Sequence, residues 1–212
     1  IVTSHELARH VGQKLRSEIA LSRIPNGLED LSVIDGWTEG IAQTPQSDLA
    51  IIGMLNENKG QLQFLEAAVG WLRDNPDVRI NLLGRGKRIE SRIRQLAQDH
   101  GIENQILLHG YRSRRDIFQH IARARLVLAP TVWPEPFGRV PLEAGAARRA
   151  IVAFATGGLN ESIIDGRTGL LVQPGDYAAF LGAVTSLLDD PAWRLSLQAA
   201  ARGWIERTYS RN

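Results

Sequence analysis

The chain has 212 residues, 43% hydrophobic and 23% charged, values ordinary for one globular α/β unit with a full core. It has no cysteine, which excludes disulfides, a thiolate nucleophile and cysteine-based zinc sites and fits a reducing compartment. The formal charge of +2 is nearly balanced, and no apolar run approaches the roughly 20 residues of a membrane span. No basic segment followed by an apolar one marks a secretory leader. The arginines Arg112, Arg114 and Arg115 lack interleaved aromatics or a helix-turn-helix pattern, so they read as solvated charge and nucleic acid is not an expected partner.

The opening IVTSHELARH has strand-forming residues at its first position and no initiating Met, and it reads as a cut from a longer chain. Ser4 is placed to cap a helix over residues 5–17, and SRIPNG, residues 22–27, suggests a short strand with an Asn-Gly turn. Residues 28–48 carry no strong period and read as a loop. From there strands and helices alternate. Strands are expected at 49–54, 78–84, 106–110, 126–130, 151–154 and 169–172. Most are continuous apolar runs, the pattern of parallel strands buried on both faces. Between them the period becomes helical. Leu62, Leu65, Val69 and Leu72 share one helix face, and Ile89, Ile93, Leu96 and His100, with Ala97 adjoining, share another. Trp193, Leu197, Ala200 and Trp204 form a third stripe, expected to pack into the core. The alternation predicts an α/β fold, a Rossmann-like open parallel sheet with helices on both faces.

In such a sheet the ligand crevice lies beyond the carboxyl ends of the strands, and the distinctive residues fall there. Gly84-Arg85-Gly86-Lys87 begins like a dinucleotide fingerprint, but Ile89 stands where the third glycine belongs, and no Walker sequence occurs. Lys59, beside Gly60 at a helix start, offers a point charge. Gly138 ends a strand-to-helix turn whose N–H groups face an anion. Two converging anion sites suit a diphosphate. Glu135, held between Pro134 and Pro136, and Glu143, eight positions on, are two separated carboxylates flanking that turn. Each can accept hydroxyl protons in charge-assisted bonds of about 1.5–3 kcal/mol. Hydroxyl-bearing groups at both ends of a diphosphate outline a nucleotide sugar. Glu143 could instead complement the helix dipole or pair with Arg148.

EPFGRVPLE, residues 135–143, resembles the E-x7-E motif of retaining GT-B glycosyltransferases of the large family four, also described as glycosyl transferases group 1. IPNGLE, IIGMLNENKG, LLGRGK, LLHGY and TGGLNESIIDGRTGLLVQPGD are similar to successive segments of the same family. The resemblance implies that residues 23–212 form the donor-binding, C-terminal half of a GT-B fold. Residues 1–22 would be the tail of the acceptor-binding domain and the interdomain link. It also implies a hexose transferred from a nucleotide diphosphate to a glycan, lipid or small-molecule acceptor, with no cofactor and no metal. Peripheral membrane attachment, if any, would lie in the acceptor domain of an otherwise cytoplasmic protein. By the same resemblance Glu135 binds the transferred sugar and Glu143 the ribose. Lys59 and the backbone of Phe137, Gly138, Arg139 and Val140 hold the diphosphate as it leaves. Gly53 and Gly84 belong to the glycine turns of the donor site, and Gly110 and Tyr111 border the base.

Two departures stand out. Met54 occupies the place of an arginine that in the family helps carry the leaving diphosphate, and Arg139 or Arg85 is expected to replace it in part. Asn160 stands where the family usually has proline before Glu161. The runner-up functions are an epimerase or phosphorylase on the same scaffold, or a non-catalytic nucleotide-sugar-binding module. A donor half alone is expected to transfer little.

Overall fold

The computed structural model describes residues 3–14, 28–41 and 47–208. In chain order the elements are α1 (His5–Lys14), α2 (Leu31–Thr38), β1 (Ser47–Ile52), α3 (Gln61–Asp74), β2 (Ile80–Leu83), α4 (Lys87–His100), β3 (Ile106–Gly110), α5 (Arg114–Arg123) and β4 (Ala124–Ala129). There follow α6 (Val140–Ala146), β5 (Ala150–Phe154), α7 (Leu159–Ser162), β6 (Leu170–Val172), α8 (Tyr177–Asp189) and α9 (Pro191–Thr208). All strand pairs are parallel, in the order β3-β2-β1-β4-β5-β6. This is the doubly wound Rossmann order, with its reversal between β1 and β4.

Alternate strand residues feed two cores, because successive side chains point to opposite faces. Leu49, Ile51, Leu126, Leu128, Val152 and Phe154 pack with α3, α4 and α8. Val127, Ile151 and Ala153 pack on the other face with α2, α5, α6 and α7, and α9 contributes to both. Phe180 of α8 joins the first core by edge contacts with Phe64 and Phe154, at 5.5 and 4.8 Å between ring centres. No helix among the described residues is long and apolar enough to cross a membrane.

The expected strands all form, with no end displaced by more than two residues and β3 as expected at both ends. Ser4 caps α1, its hydroxyl accepting from the Leu7 N–H at 3.0 Å. The helix is described as far as Lys14, and the expected strand and turn at 22–27 lie outside the described residues.

Two expectations fail. Residues 28–48 are not simply a loop: they hold α2, started by Asp30 accepting from the Ser32 N–H at 2.8 Å, and the first residues of β1. A helix this short is marginal by itself, and burial stabilises it. Ile34 is fully buried, and Trp37 packs on Phe118 at 5.7 Å. In α9 the buried face is Arg194, Leu197, Gln198, Ala201, Arg202 and Ile205, and Trp193 is left 37% exposed. The stripe is rotated because two arginines find partners inside. Arg194 donates to the Leu187 carbonyl at 2.6 Å, and Arg202 donates to Asp35 at 2.8 Å and to the Ala146 carbonyl at 2.7 Å.

Candidate functional site: a cation and a carboxylate at the switch point

The segment after β1 leaves the sheet at Gly53 and makes one 3-10 turn, Glu57–Lys59. Asn56 caps it, its side-chain oxygen accepting from the Asn58 and Lys59 N–H groups, both at 3.1 Å. Gly60 then turns the chain into α3 with φ of 69°. A Cβ there would lie 1.9 Å from the Pro130 carbonyl oxygen, so only glycine allows this approach to the end of β4. The Asn58 carbonyl accepts from the Val132 N–H at 3.2 Å and the Thr131 hydroxyl at 3.1 Å. The turn after β1 is thereby fastened to the loop after β4. That fastening brings Lys59 to Glu135: the ammonium pairs directly with the carboxylate, both side chains being partly buried.

Glu135 is fixed from behind as well. Its carbonyl accepts from the Gly158 N–H at 2.7 Å. Gly138 closes the turn at φ 74°, where a Cβ would meet Leu159 at 2.5 Å. A cavity of about 590 Å³ opens between these two strand ends. Gly53, Lys59, Glu135, Phe137, Gly138, Arg139 and Val140 line it, which unites most of the residues singled out from the sequence. Phe137 is 2% exposed, which leaves its backbone rather than its ring for a ligand.

Gly84, Tyr111 and Glu143 lie outside this wall. Gly84 follows β2, its N–H donating to the Gly110 carbonyl at 2.9 Å. Tyr111 follows β3, is 71% exposed, and carries the Arg85 guanidinium 5.3 Å from its ring centre. Arg85 is therefore engaged outside the cavity, whereas Arg139 shares a wall with Lys59. Met54 is 65% exposed and points no charge anywhere.

Glu143 is nearly fully buried, at 5% side-chain exposure, and its partner is not Arg148. Arg114 donates to its Oε1 at 2.6 Å, and the Arg139 Nε lies 3.7 Å from the same oxygen. Arg114 also donates to Glu29 at 2.8 Å. The Arg114 hydrogen bond holds the Glu29 carboxyl below its usual range. Arg114, at the first position of α5, is thus a bridging residue and not solvated charge, a correction to its sequence reading. Its chemistry had no local signal, since Glu29 is 85 positions away.

Gln61 also went unremarked in the sequence. It is 1% exposed, lines the cavity, and donates from Nε2 to the Met54 carbonyl at 2.9 Å, while its own Oε1 finds no partner among the described residues. Among the described residues no group of three or more His, Asp or Glu side chains could hold a metal ion.

A doubly wound parallel sheet with a lysine and a carboxylate facing one cavity at its switch point defines a Rossmann-like domain. The solved structures it resembles are GT-B glycosyltransferases. Sucrose-phosphate synthase from Thermosynechococcus elongatus matches with a TM-score of 0.81 at 24% identity, over 99% of this chain and 53% of that one. Anabaena HepE, in complex with UDP-glucose, matches at 0.80 and 24%, over 96% and 57%. The C-terminal domain of the group 1 family protein LpcC from Francisella tularensis matches at 0.74 and 22%, over 86% of this chain and 99% of that one. At these identities the likeness shows the fold, which is that of the Rossmann-like C-terminal half of GT-B proteins.

The sequence names the family. The model for glycosyl transferases group 1 matches residues 40–204, and the chain belongs to that family. A glycogen synthase of Mycobacterium tuberculosis is 32% identical over 160 residues, 76% of this chain. A D-inositol 3-phosphate glycosyltransferase of Streptomyces avermitilis is 31% identical over 220 residues, 94% of this chain. The chain spans 38% and 46% of those two relatives' lengths.

Proposed function

We propose that residues 23–212 are the donor-binding half of a retaining, metal-independent hexosyltransferase. Residues 1–22 would come from an acceptor-binding half and the link to it. The observation that carries the reading is the Lys59–Glu135 pair in the wall of the switch-point cavity. An ammonium and a carboxylate that neutralise each other can be exchanged for the two ends of a sugar diphosphate. The diphosphate takes the ammonium, and the freed carboxylate accepts hydroxyl protons from the sugar. HepE, of the same fold, is described with UDP-glucose bound, which supports a nucleotide-sugar donor.

In this reading Arg139 supplies the second positive charge that Met54 cannot, beside the backbone of residues 137–140. Glu143, oriented by Arg114, takes the ribose hydroxyls, and Tyr111 with Gly84 borders the base. The acceptor oxygen forms its bond to the anomeric carbon as the bond from that carbon to the diphosphate breaks, and the hydroxyl proton leaves on the diphosphate. The protein's contribution is to place the reactants and to stabilise charge growing on the leaving group. The location expected is cytoplasmic.

The test is calorimetric titration with UDP-, GDP-, ADP- and dTDP-glucose. One of them should bind, and Lys59→Met and Glu143→Ala should each weaken it about tenfold or more. Binding of none, or binding indifferent to both substitutions, would overturn the reading. The exposed Met54 keeps one alternative, a non-catalytic nucleotide-sugar-binding module. Donor binding without sugar transfer by the complete natural protein selects it.

A further inference from the structure

Helix α6 ends in a turn that closes on arginine. The Arg148 N–H donates to the Gly145 carbonyl at 3.1 Å and the Arg149 N–H to the Ala144 carbonyl at 2.8 Å, which satisfies carbonyls that the helix leaves open. Such a turn needs a left-handed residue where Arg148 stands, and glycine is the residue that adopts it without strain. Here φ is 57°, and Arg148 is the one non-glycine residue with positive φ among the described residues. A cation suits this end of the helix dipole, but Arg149, one position on, supplies it without strain. Strained backbone of this kind gathers at ligand sites.

Arg148 borders a cavity of about 670 Å³ that also takes in Arg149, just before β5, and Ala122, just before β4. It therefore lies at the amino ends of these strands, whereas the donor cavity lies beyond their carboxyl ends. Its far wall is one face of α2 and the residue after it, with Ser32, Asp35 and Glu39. Charge in this space is unbalanced. The two terminal nitrogens of Arg149 donate to main-chain carbonyls, of Arg148 at 2.8 Å and of Ala122, and its Nε is buried with no acceptor among the described residues. No carboxylate there pairs with Arg148 or Arg149. Burial, and then the Arg194 charge, push the Arg149 pKa down, yet a guanidinium keeps its proton at any ordinary pH. A half-buried cation without a counter-ion is costly until an anion reaches it. Asp35 is not that anion, since Arg202 holds both its oxygens at 2.8 Å. Glu39 has no partner among the described residues.

These groups ask for a ligand with two kinds of chemistry. Adjacent guanidiniums match a phosphate, whose oxygens accept from their planar forks. Glu39 accepts protons from hydroxyls, and so does the Ser32 oxygen, whose own proton goes to Asp30 at 2.6 Å. The volume is that of a small-molecule site and far exceeds a bare phosphate. We propose that this cavity is a second ligand site, taking the phosphate monoester of a small polyhydroxyl compound, with the phosphate on Arg148 and Arg149 and the hydroxyls towards Glu39. None of its walls is shared with the donor cavity. The site stands apart from the transferase reading and does not depend on it.

Calorimetry with sorbitol 6-phosphate, sorbitol and inorganic phosphate tests it. Sorbitol 6-phosphate should bind at least about tenfold more tightly than either of the others. Arg148→Gly should weaken it about tenfold and at the same time raise the thermal midpoint of the free protein by about 2–4 °C, because the strain leaves with the side chain. A variant that folds better and binds worse separates a lost ligand contact from a damaged fold. Glu39→Gln should weaken sorbitol 6-phosphate about threefold or more and leave inorganic phosphate unweakened. Lys59→Met, in the donor cavity, should change neither. Binding that follows Arg148 and Glu39 in this way supports the proposal. Binding of none of the three compounds overturns it, as does affinity indifferent to Arg148→Gly. Binding lost in Lys59→Met and kept in Arg148→Gly places the compound in the donor cavity and also overturns it. A phosphoserine peptide that binds through Arg148 where sorbitol 6-phosphate does not would make the cavity a protein-docking site and overturn the small-molecule assignment.

Discussion

Replacing Arg114 with Met would strip a nearly buried carboxylate of its principal donor. Glu143 is 5% exposed and receives the Arg114 guanidinium at 2.6 Å, while Arg114 itself is 35% exposed. Removing one partner of a fully buried pair costs about 3–5 kcal/mol. Two features reduce that figure here: water reaches Arg114, and Arg139 stays 3.7 Å from the same oxygen. The loss of the half-exposed Glu29 contact adds at most about 1 kcal/mol. The expected destabilisation is about 2–3 kcal/mol, or about 4–12 °C in thermal midpoint for a domain of this size. Glu143→Gln alone should cost about 1 kcal/mol, one charge-assisted bond made neutral. The double variant should fall short of the sum by at least about 1 kcal/mol, because the uncompensated charge is gone. Urea unfolding followed by circular dichroism gives all four free energies, with an unchanged slope as the check on compactness. Additivity within about 0.5 kcal/mol would show that the bridge is a bystander and that Glu143 is held by something else.

Lys59→Met should alter stability by less than about 1 kcal/mol, since water still reaches the pair it forms with Glu135, yet remove most donor affinity in calorimetry. A large loss of stability would recast Lys59 as structural. Gly60→Ala should cost more than about 2 kcal/mol in urea unfolding, because φ of 69° and a carbonyl oxygen 1.9 Å from the added carbon leave it no room. A neutral outcome would show that the loop after β4 gives way. His120 packs on His109 with ring centres 4.3 Å apart, and burial first, then the His109 charge, lowers its pKa from 6.5 to about 4. A folded-state pKa below the unfolded value means the unfolded chain binds the proton first. The stability His120 contributes is therefore complete above pH 6.5 and lost as pH falls towards about 4. The urea midpoint should decline across that window, and His120→Leu should flatten the decline; an unchanged decline would place the titration elsewhere.

Much of this fold was legible from local pattern. Strands buried on both faces are nearly all apolar, so β5 announces itself as AIVAF and β2 as INLL, where the one polar side chain, Asn81, donates to the Leu49 carbonyl at 3.4 Å. Ser4 caps as its side chain dictates. Helix α2 was not legible, since eight residues holding Gly36 and only one fully buried side chain carry too little period to compete with a loop. The α9 stripe misled because periodicity assigns the inner face to tryptophan, whereas Arg194 and Arg202 go inside once carbonyls and carboxylates are there to receive them. In the site, Lys59 and Glu135 stood out because each is marked by its neighbours, Gly60 and two prolines. Arg114, Gln61 and Arg149 carried no such mark, and each acquires its meaning from a partner or cavity remote in sequence.

Local sequence thus determined where the chain extends, where it coils, and which turns must be glycine or proline, because these depend on the chain's own sterics and on which side chains water rejects. It did not determine company. Lys59 and Glu135 are 76 positions apart, and they meet because burial on both faces of the sheet sets β1 beside β4 and aligns their carboxyl ends. The Arg114 bridge to Glu29 and Glu143 likewise exists only after packing has buried Glu143 and brought the three groups together. A charged side chain's partner is whichever opposite charge shares its desolvated space, and that space is created by the tertiary structure alone.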